Sequence, residues 1–228
     1  KGTTQKIDAQ ASIFNYRAQY IRWGTYNTVM LCNVVDVNNA DKGGIRWYEL
    51  RQDNATNQFS IFQEGTYAPD DDSRFIGSIA MDLCGNIGLA YSISGPNSYP
   101  SLGYTGRRYF DPLGQMTVQE VRAVEGSFYQ SGFNRFGDYS QMTLDPDGLS
   151  FWFTGEYIGS GGVRSSRIFS FDMVSLVSTP QNKMDNTNLL TFQKGEVLNI
   201  RIKKSFYNKI TTVLIKDSRF LLSNLHLE

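Results

Sequence analysis

Histidine is nearly absent: His226, close to the C-terminal end, is the single one in 228 residues. A Ser-His-Asp or Cys-His mechanism would have to run through it, so nucleophilic catalysis of that kind is not expected. Two cysteines, Cys32 and Cys84, make neither a disulfide framework nor a zinc-ligand spacing, and two buried thiols are expected rather than a bridge. No metal-ligand pattern is legible and no cofactor is expected. Excess charge is lacking too. Basic and acidic residues balance at 22 each, which leaves no electrostatic case for nucleic acid or an anionic membrane. No apolar run approaches the ~18 residues that would span a bilayer. Lys1 opens the chain without a methionine or a signal peptide, as a processed chain or a piece of a longer protein would.

Aromatic residues and glycine are plentiful: 15 Phe, 13 Tyr and 21 Gly. Aromatics favour strands and glycine punctuates turns, so the composition leans towards an all-β fold.

A repeat of about sixty residues organises the first three quarters of the chain. Glu64-Gly65-Thr66-Tyr67 matches Glu125-Gly126-Ser127-Phe128. Arg74-Phe75 follows the first and Arg135-Phe136 the second at the same distance, and Asp82-x-x-Gly85 matches Asp145-x-x-Gly148. A looser copy starts at Arg22-Trp23-Gly24, with Asp36 as its turn acid. Runs such as "GSIAMD", "NIGLAYSIS", "LSFWFTGEY", "GIRWYELRQ", "FSIFQEG" and "VRAVEGS" read as strands, about four to a unit. In "GIRWYELRQ", Ile45, Trp47, Tyr48 and Leu50 alternate imperfectly against Arg46, Glu49 and Arg51. "GPNSYPSLGYTGRRYFDPLGQ" reads as a long loop inside the second unit. Four-stranded units repeating in this way make propeller blades, here near residues 16–67, 74–128 and 135–171. Three blades do not close a ring, so a partial propeller, part of a longer one, is expected. Residues 173–188 read as a polar linker, and 189–228 as a small β module with the runs "EVLNIRI", "ITTVLIKD" and "RFLLSNLHL".

Two resemblances attach to these residues. "GIRWYELR", "GSIAMDLCGNIGLAYSIS", "YPSLGYTGR" and "GDYSQMTLDPDGLSFWFTGEY" resemble the repeats of large secreted bacterial propeller proteins, related to the sialidase-like, BNR-repeat superfamily. The resemblance covers about residues 16–171 and implies a secreted or cell-surface location. It does not imply sialidase activity, because the Arg-Ile-Pro signature and true Asp-boxes of sialidases are not legible. The tail from Asn188 to Ser223 is similar to a degenerate C-terminal sorting domain of the type IX secretion system of Bacteroidota. It keeps Val197-Leu198-Asn199-Ile200, Asp217 and Arg219, and it lacks the Pro-Asn-Pro turn. That likeness implies contact with secretion machinery.

Subtracting the repeat isolates the site candidates. Asp138-Tyr139 is a polar insertion at the entry to the third unit, where Tyr could stack on a sugar and Asp accept from hydroxyls; the competing reading is an Asp that caps a local turn. Arg22, Arg74 and Arg135 recur at the unit anchors. They could converge on a carboxylate, or pair with Glu64 and Glu125 as scaffold. Glu156, beside Tyr157, is a candidate acid with no evident second carboxylate opposite. Asp82, Asp145 and Asp147 are explained by turns, and Asp70, Asp71 and Asp72 by a solvated loop rather than calcium. Trp23, Trp47 and Trp152 are expected in the core between blades. The function expected is binding of an extracellular glycan or peptide, with a glycan hydrolase as the alternative.

Overall fold

The computed structural model describes residues 1–11 and 13–173 and, beyond them, two short strands. The chain divides into two compact units, Lys1–Met173 and Val174–Glu228. In the second, β12 (Thr212–Leu214) pairs antiparallel with β13 (Leu221–Ser223), inside two of the three runs expected as strands. The linker expected from 173 lies outside the described residues from 174 onward, as do Val197 to Ile200, Asp217 and Arg219 of the sorting-domain likeness.

The first unit is all-β, three antiparallel sheets in chain order. The first sheet is a meander of β1 (Gln19–Arg22), β2 (Tyr26–Asp36), β3 (Gly43–Asp53) and β4 (Phe59–Tyr67). The second is a meander of β5 (Ser73–Met81), β6 (Ile87–Ser94), β7 (Ser101–Arg107) and β8 (Val118–Val124). The third has β9 (Gln141–Leu144), β10 (Phe151–Ile158) and β11 (Arg164–Phe171), with β10 in the middle. Among the described residues the one helical turn is the 3-10 turn Ser160–Gly162.

Two apolar layers hold the sheets together. Met30, Cys32, Val34, Ile45 and Trp47 of the first sheet meet Ile79, Ile87, Leu89, Tyr91 and Ile93 of the second. Ala80, Ala90 and Leu102 on its other side meet Met142, Phe151, Phe153 and Phe171 of the third. The second sheet is therefore covered on both faces, and β5, β6 and β7 are buried almost throughout. A strand in that position carries a continuous apolar or small-residue run instead of alternation. The flanking sheets alternate. Phe151 and Phe153 point inward while Trp152, 40 % exposed, points outward with its Nε1 donating to Asp145 Oδ2 at 2.9 Å. Trp47 is in the core as expected, Trp23 is only half-buried at its edge, and Trp152 is outside it because alternation sets it opposite Phe151 and Phe153.

Three expectations need correction. The supposed loop "GPNSYPSLGYTGRRYFDPLGQ" contains β7, a buried strand. Its glycines are there for space: a Cβ on Gly103 would lie 2.6 Å from Ile93 Cδ1, and one on Gly106 2.3 Å from Met173 Sδ. Arg22 is not equivalent to Arg74. Arg22 closes β1 whereas Arg74 begins β5, so the first copy of the repeat is out of register, and Asp36 serves the β2–β3 hairpin. Both thiols are free, but Cys84 is exposed, because it sits in the β5–β6 turn; only Cys32 is buried.

The Asp-x-x-Gly turns are as expected. Gly85 N donates to Asp82 O at 3.0 Å and Gly148 N to Asp145 O at 2.8 Å, with both glycines at positive φ. The two turns also touch, since Leu83 N donates to Gly148 O at 2.8 Å. A Cβ on Gly148 (φ 71°) would lie 2.3 Å from Leu83 Cδ1. Gly148→Ala is expected to cost about 1–3 kcal/mol in urea denaturation, from the left-handed backbone and the displaced Leu83.

The Asp82 carboxylate is 1 % exposed and accepts from the amides of Cys84 and Asn86 and from Asn86 Nδ2. Burial outweighs these donors and pushes it up to about 6. The folded chain therefore holds this proton at pH values where an unfolded carboxyl has lost it. Stability from this group is present below about pH 4 and falls as pH rises towards 6, by up to about 3 kcal/mol. Urea titrations at pH 4 and pH 7 are expected to show that fall in the wild type and to lack it in Asp82→Asn.

Candidate functional site

The structure sets Arg74 apart from the other site residues picked from sequence, which gather around one turn. Arg74 is fully buried at the start of β5. Its Nε and Nη2 donate to the two oxygens of Glu120 at 3.0 and 2.8 Å, and it pairs with Asp70 on the other side. Tyr91 donates its hydroxyl to Glu120 Oε2 at 2.8 Å. Burial works against the Arg74 charge, but the two carboxylates outweigh it, and the same contact draws Asp70 down to about 2. Asp72 turns away from Asp70 to accept from Asn97 N and Ser98 Oγ, so the acid run does not converge.

Arg135 lies elsewhere, exposed, with Nε and Nη2 at 2.9 and 2.5 Å from Asp138 Oδ2. Asp138 Oδ1 accepts from Gln10 Nε2 at 2.7 Å. Glu156 on β10 accepts from Gly137 N at 3.2 Å. Arg135, Asp138 and Glu156 are thus gathered around one turn, in which Ser140 N donates to Gly137 O. Tyr139 stands at its apex, 89 % exposed. The N-terminal segment covers this corner: Asp8 N donates to Asn134 O, and Gln10 holds Asp138.

Convergence of the arginines is therefore overturned: Arg74 is buried in the second sheet, while Arg22 and Arg135 are exposed on other elements. The scaffold partners differ from those expected as well. Glu64 pairs with Arg46 at 2.6 Å, and Glu125 is exposed. The physical reason is strand spacing. Glu120 on β8 reaches Arg74 across its own sheet, whereas Glu64 faces outward on β4 beside Arg46.

A cavity of about 320 Å³ lies between the first and second sheets, at the end where the apolar layer gives way to charge. On β3, Ile45, Trp47, Glu49 and Arg51 follow one another on the inward face. Glu49 is 1 % exposed, and its oxygens accept from Arg51 Nε at 2.8 Å and Gln63 Nε2 at 2.5 Å. The Arg51 guanidinium lies between the rings of Phe62 and Tyr26, 3.2 and 4.4 Å from their centroids. Across the gap, Arg107 ends β7 on the face that carries Ile87 and Leu89, and it is 2 % exposed. Its Nη2 donates to Asp111 O, and its buried Nε has no hydrogen-bond partner among the described residues. Burial lowers its affinity for the proton, with Glu49 and Asp111 opposing. Trp23 and Tyr109 complete the aromatic wall.

Sequence reading passed over Glu49 and Arg107. A signal for Glu49 was present: counting by two from Ile45 and Trp47 puts Glu49 and Arg51 on the buried face, not the solvent face. Arg107 was hidden because its strand read as loop. The chain matches no known family model and no curated protein.

If Arg74 is scaffold, Arg74→Met leaves Asp70, Glu120 and the Tyr91 hydroxyl around a missing cation. The expected loss is about 3–5 kcal/mol by urea denaturation. An Arg74→Met chain of unchanged stability would return the residue to a binding role.

Proposed function

We propose that this chain contributes blades to a secreted or cell-surface β-propeller of the sialidase-like kind, and binds an extracellular ligand, a glycan or a peptide, without transforming it. The observation that carries the binding reading is the cavity beside Glu49 and Arg107. It joins aromatic walls to a few buried charged groups, and its volume is at the lower end of the ~300–1,000 Å³ usual for ligand pockets.

The propeller reading is supported by three meanders packed face to face in chain order, with the β5–β6 and β9–β10 turns hydrogen-bonded to each other. Rings are built from about four blades or more. Further blades would lie against the outward faces of the first and third sheets, where Tyr20, Phe59, Ile61, Trp152 and Ile168 are exposed. Location outside the cell, and contact of residues 189–228 with secretion machinery, rest on the sequence resemblances. No role with nucleic acid or within a membrane is proposed.

The hydrolase alternative asks for two carboxyls flanking a bond. Asp138 is held by Arg135 and Gln10, and Glu156 accepts from the Gly137 amide, so both acids are engaged within the turn. Screening the full chain on glycan and peptide arrays, alongside a panel of glycosidase substrates, is expected to give binding without turnover. Release of sugar from any substrate would overturn the non-catalytic reading.

A further inference from the structure

The polar inventory of the Glu49–Arg107 cavity says what kind of ligand it suits. Glu49 has both oxygens occupied, by Arg51 and by Gln63. Gln63 is satisfied at its other end, where Oε1 accepts from Gly114 N at 3.1 Å. Glu49 and Gln63 are thus already bonded to protein partners, whereas a neutral sugar brings several hydroxyls, each of which needs a partner once buried. Arg107 is different. Arg107 is part of the cavity wall, it is almost fully buried, and its Nε has no acceptor among the described residues. A buried donor in that condition costs about 1–3 kcal/mol, more when charged, until an acceptor reaches it.

The charge count points the same way. Among the described residues that line the cavity, Arg51 and Arg107 are cationic and Glu49 is anionic, an excess of one positive charge. Asp111 is near Arg107, but its carboxylate accepts from the Arg108 amide and the Thr117 hydroxyl and is not part of the lining. Apart from Gln63 and Cys84, most of the remaining wall is aromatic or apolar: Trp23, Tyr26, Phe62 and Tyr109, with Met81 and Leu113. A ligand that satisfies this wall has one anionic acceptor and a flat apolar body.

We propose that the cavity binds a monocarboxylate carried on an aromatic or bulky apolar group, with the carboxylate seated on Arg107 and the apolar group among the aromatic side chains. A guanidinium is suited to the carboxylate, because its N–H groups form a planar fork that matches the two oxygens. The carboxylate supplies the acceptor that Arg107 lacks, and its charge balances the excess on the wall. Two sources provide this chemistry: a free aromatic acid, or the C-terminal residue of a peptide. The assignment rests on the reading of this cavity as the binding site and narrows its ligand.

Calorimetric titration of the full chain with phenylacetate and with phenylacetamide tests the charge directly, without a mutation. Phenylacetate is expected to bind, and the amide at least about tenfold more weakly, because a hydrogen bond to a charged group is lost. Arg107→Gln is expected to weaken phenylacetate to the level of the amide. Equal affinity of acid and amide overturns the proposal, as does phenylacetate binding that is untouched in folded Arg107→Gln. Because Arg107 is buried and its replacement could unfold the chain, Leu113→Trp gives a second arm. Leu113 is 55 % exposed at the cavity, so a larger side chain there need not enter the core. Undiminished phenylacetate binding by folded Leu113→Trp also overturns the assignment. Acetyl-Gly-Phe with a free or an amidated C-terminus separates the sources. Tighter binding of the free-acid peptide than of phenylacetate assigns a peptide end, and the reverse order assigns a small acid. A neutral glycan that binds and is lost in Leu113→Trp overturns the carboxylate assignment while leaving the ligand-binding reading in place. Failure of every array ligand and every acid to bind overturns both.

Discussion

β5, β6 and β7 of the second sheet have no solvent face, and the rest of the unit follows from that. Both sides of these strands are almost wholly apolar or small, because each lies under another sheet. Glycine and alanine appear where the sheets approach most closely. A Cβ on Gly88 would stand 3.0 Å from the Phe151 ring, and one on Gly77 3.0 Å from Ile45 Cδ1. Close packing of this kind transmits side-chain shape from one sheet to the next. β5 also carries an irregularity. The register with β6 shifts between Phe75 and Ser78, and Ile76 takes a positive φ. The shift sets Ser78 Oγ between Tyr16 O, to which it donates, and Met142 N, from which it accepts.

Charge enters the layer between the first and second sheets at two places, and the two are solved differently. At one, Arg74 is enclosed by Asp70, Glu120 and the Tyr91 hydroxyl, and its donors are spent on protein acceptors. At the other, Glu49 is matched by Arg51 and Gln63, but Arg107, which lines a cavity, has an Nε unmatched among the described residues. A buried ion set that is fully paired serves the scaffold, and one that is left incomplete next to space has capacity for a ligand. The corner around Arg135 is an exposed counterpart, in which Asp138 is bonded to Arg135 and Glu156 to the Gly137 amide.

The repeat was legible because turns are local. Asp-x-x-Gly needs a side-chain acceptor at one end and a glycine at positive φ at the other, and both copies have this form. The strands of the flanking sheets were legible for the same reason, as their alternation reports one wet face and one dry face. Errors came where neighbours in space decide the residue. β7 is rich in glycine because Ile93 and Met173 press against it, and read alone it resembles a loop. Arg22 looked like Arg74 because Arg-aromatic pairs are common, yet one closes a strand and the other opens one. Asp138 and Tyr139 were correctly found as residues outside the repeat. That Gln10 would cover Asp138 is a contact between residues 128 positions apart.

Composition and pattern by themselves determined that this chain is all-β, that its units recur at about sixty residues, and where the hairpin turns fall. These are properties of short segments, set by backbone conformation and by the periodicity of wet and dry faces. Only the tertiary structure decided which charges are spent and which are free. Arg74 pairs with Glu120 on β8 and with Asp70, not with the repeated Glu64 or Glu125. Glu49 and Arg107 face each other's sheets from strands more than fifty residues apart. The physical reason is that a charge inside a protein is judged by its surroundings: the same arginine is scaffold when its donors are all met, and a binding group when one is left waiting at the wall of a cavity.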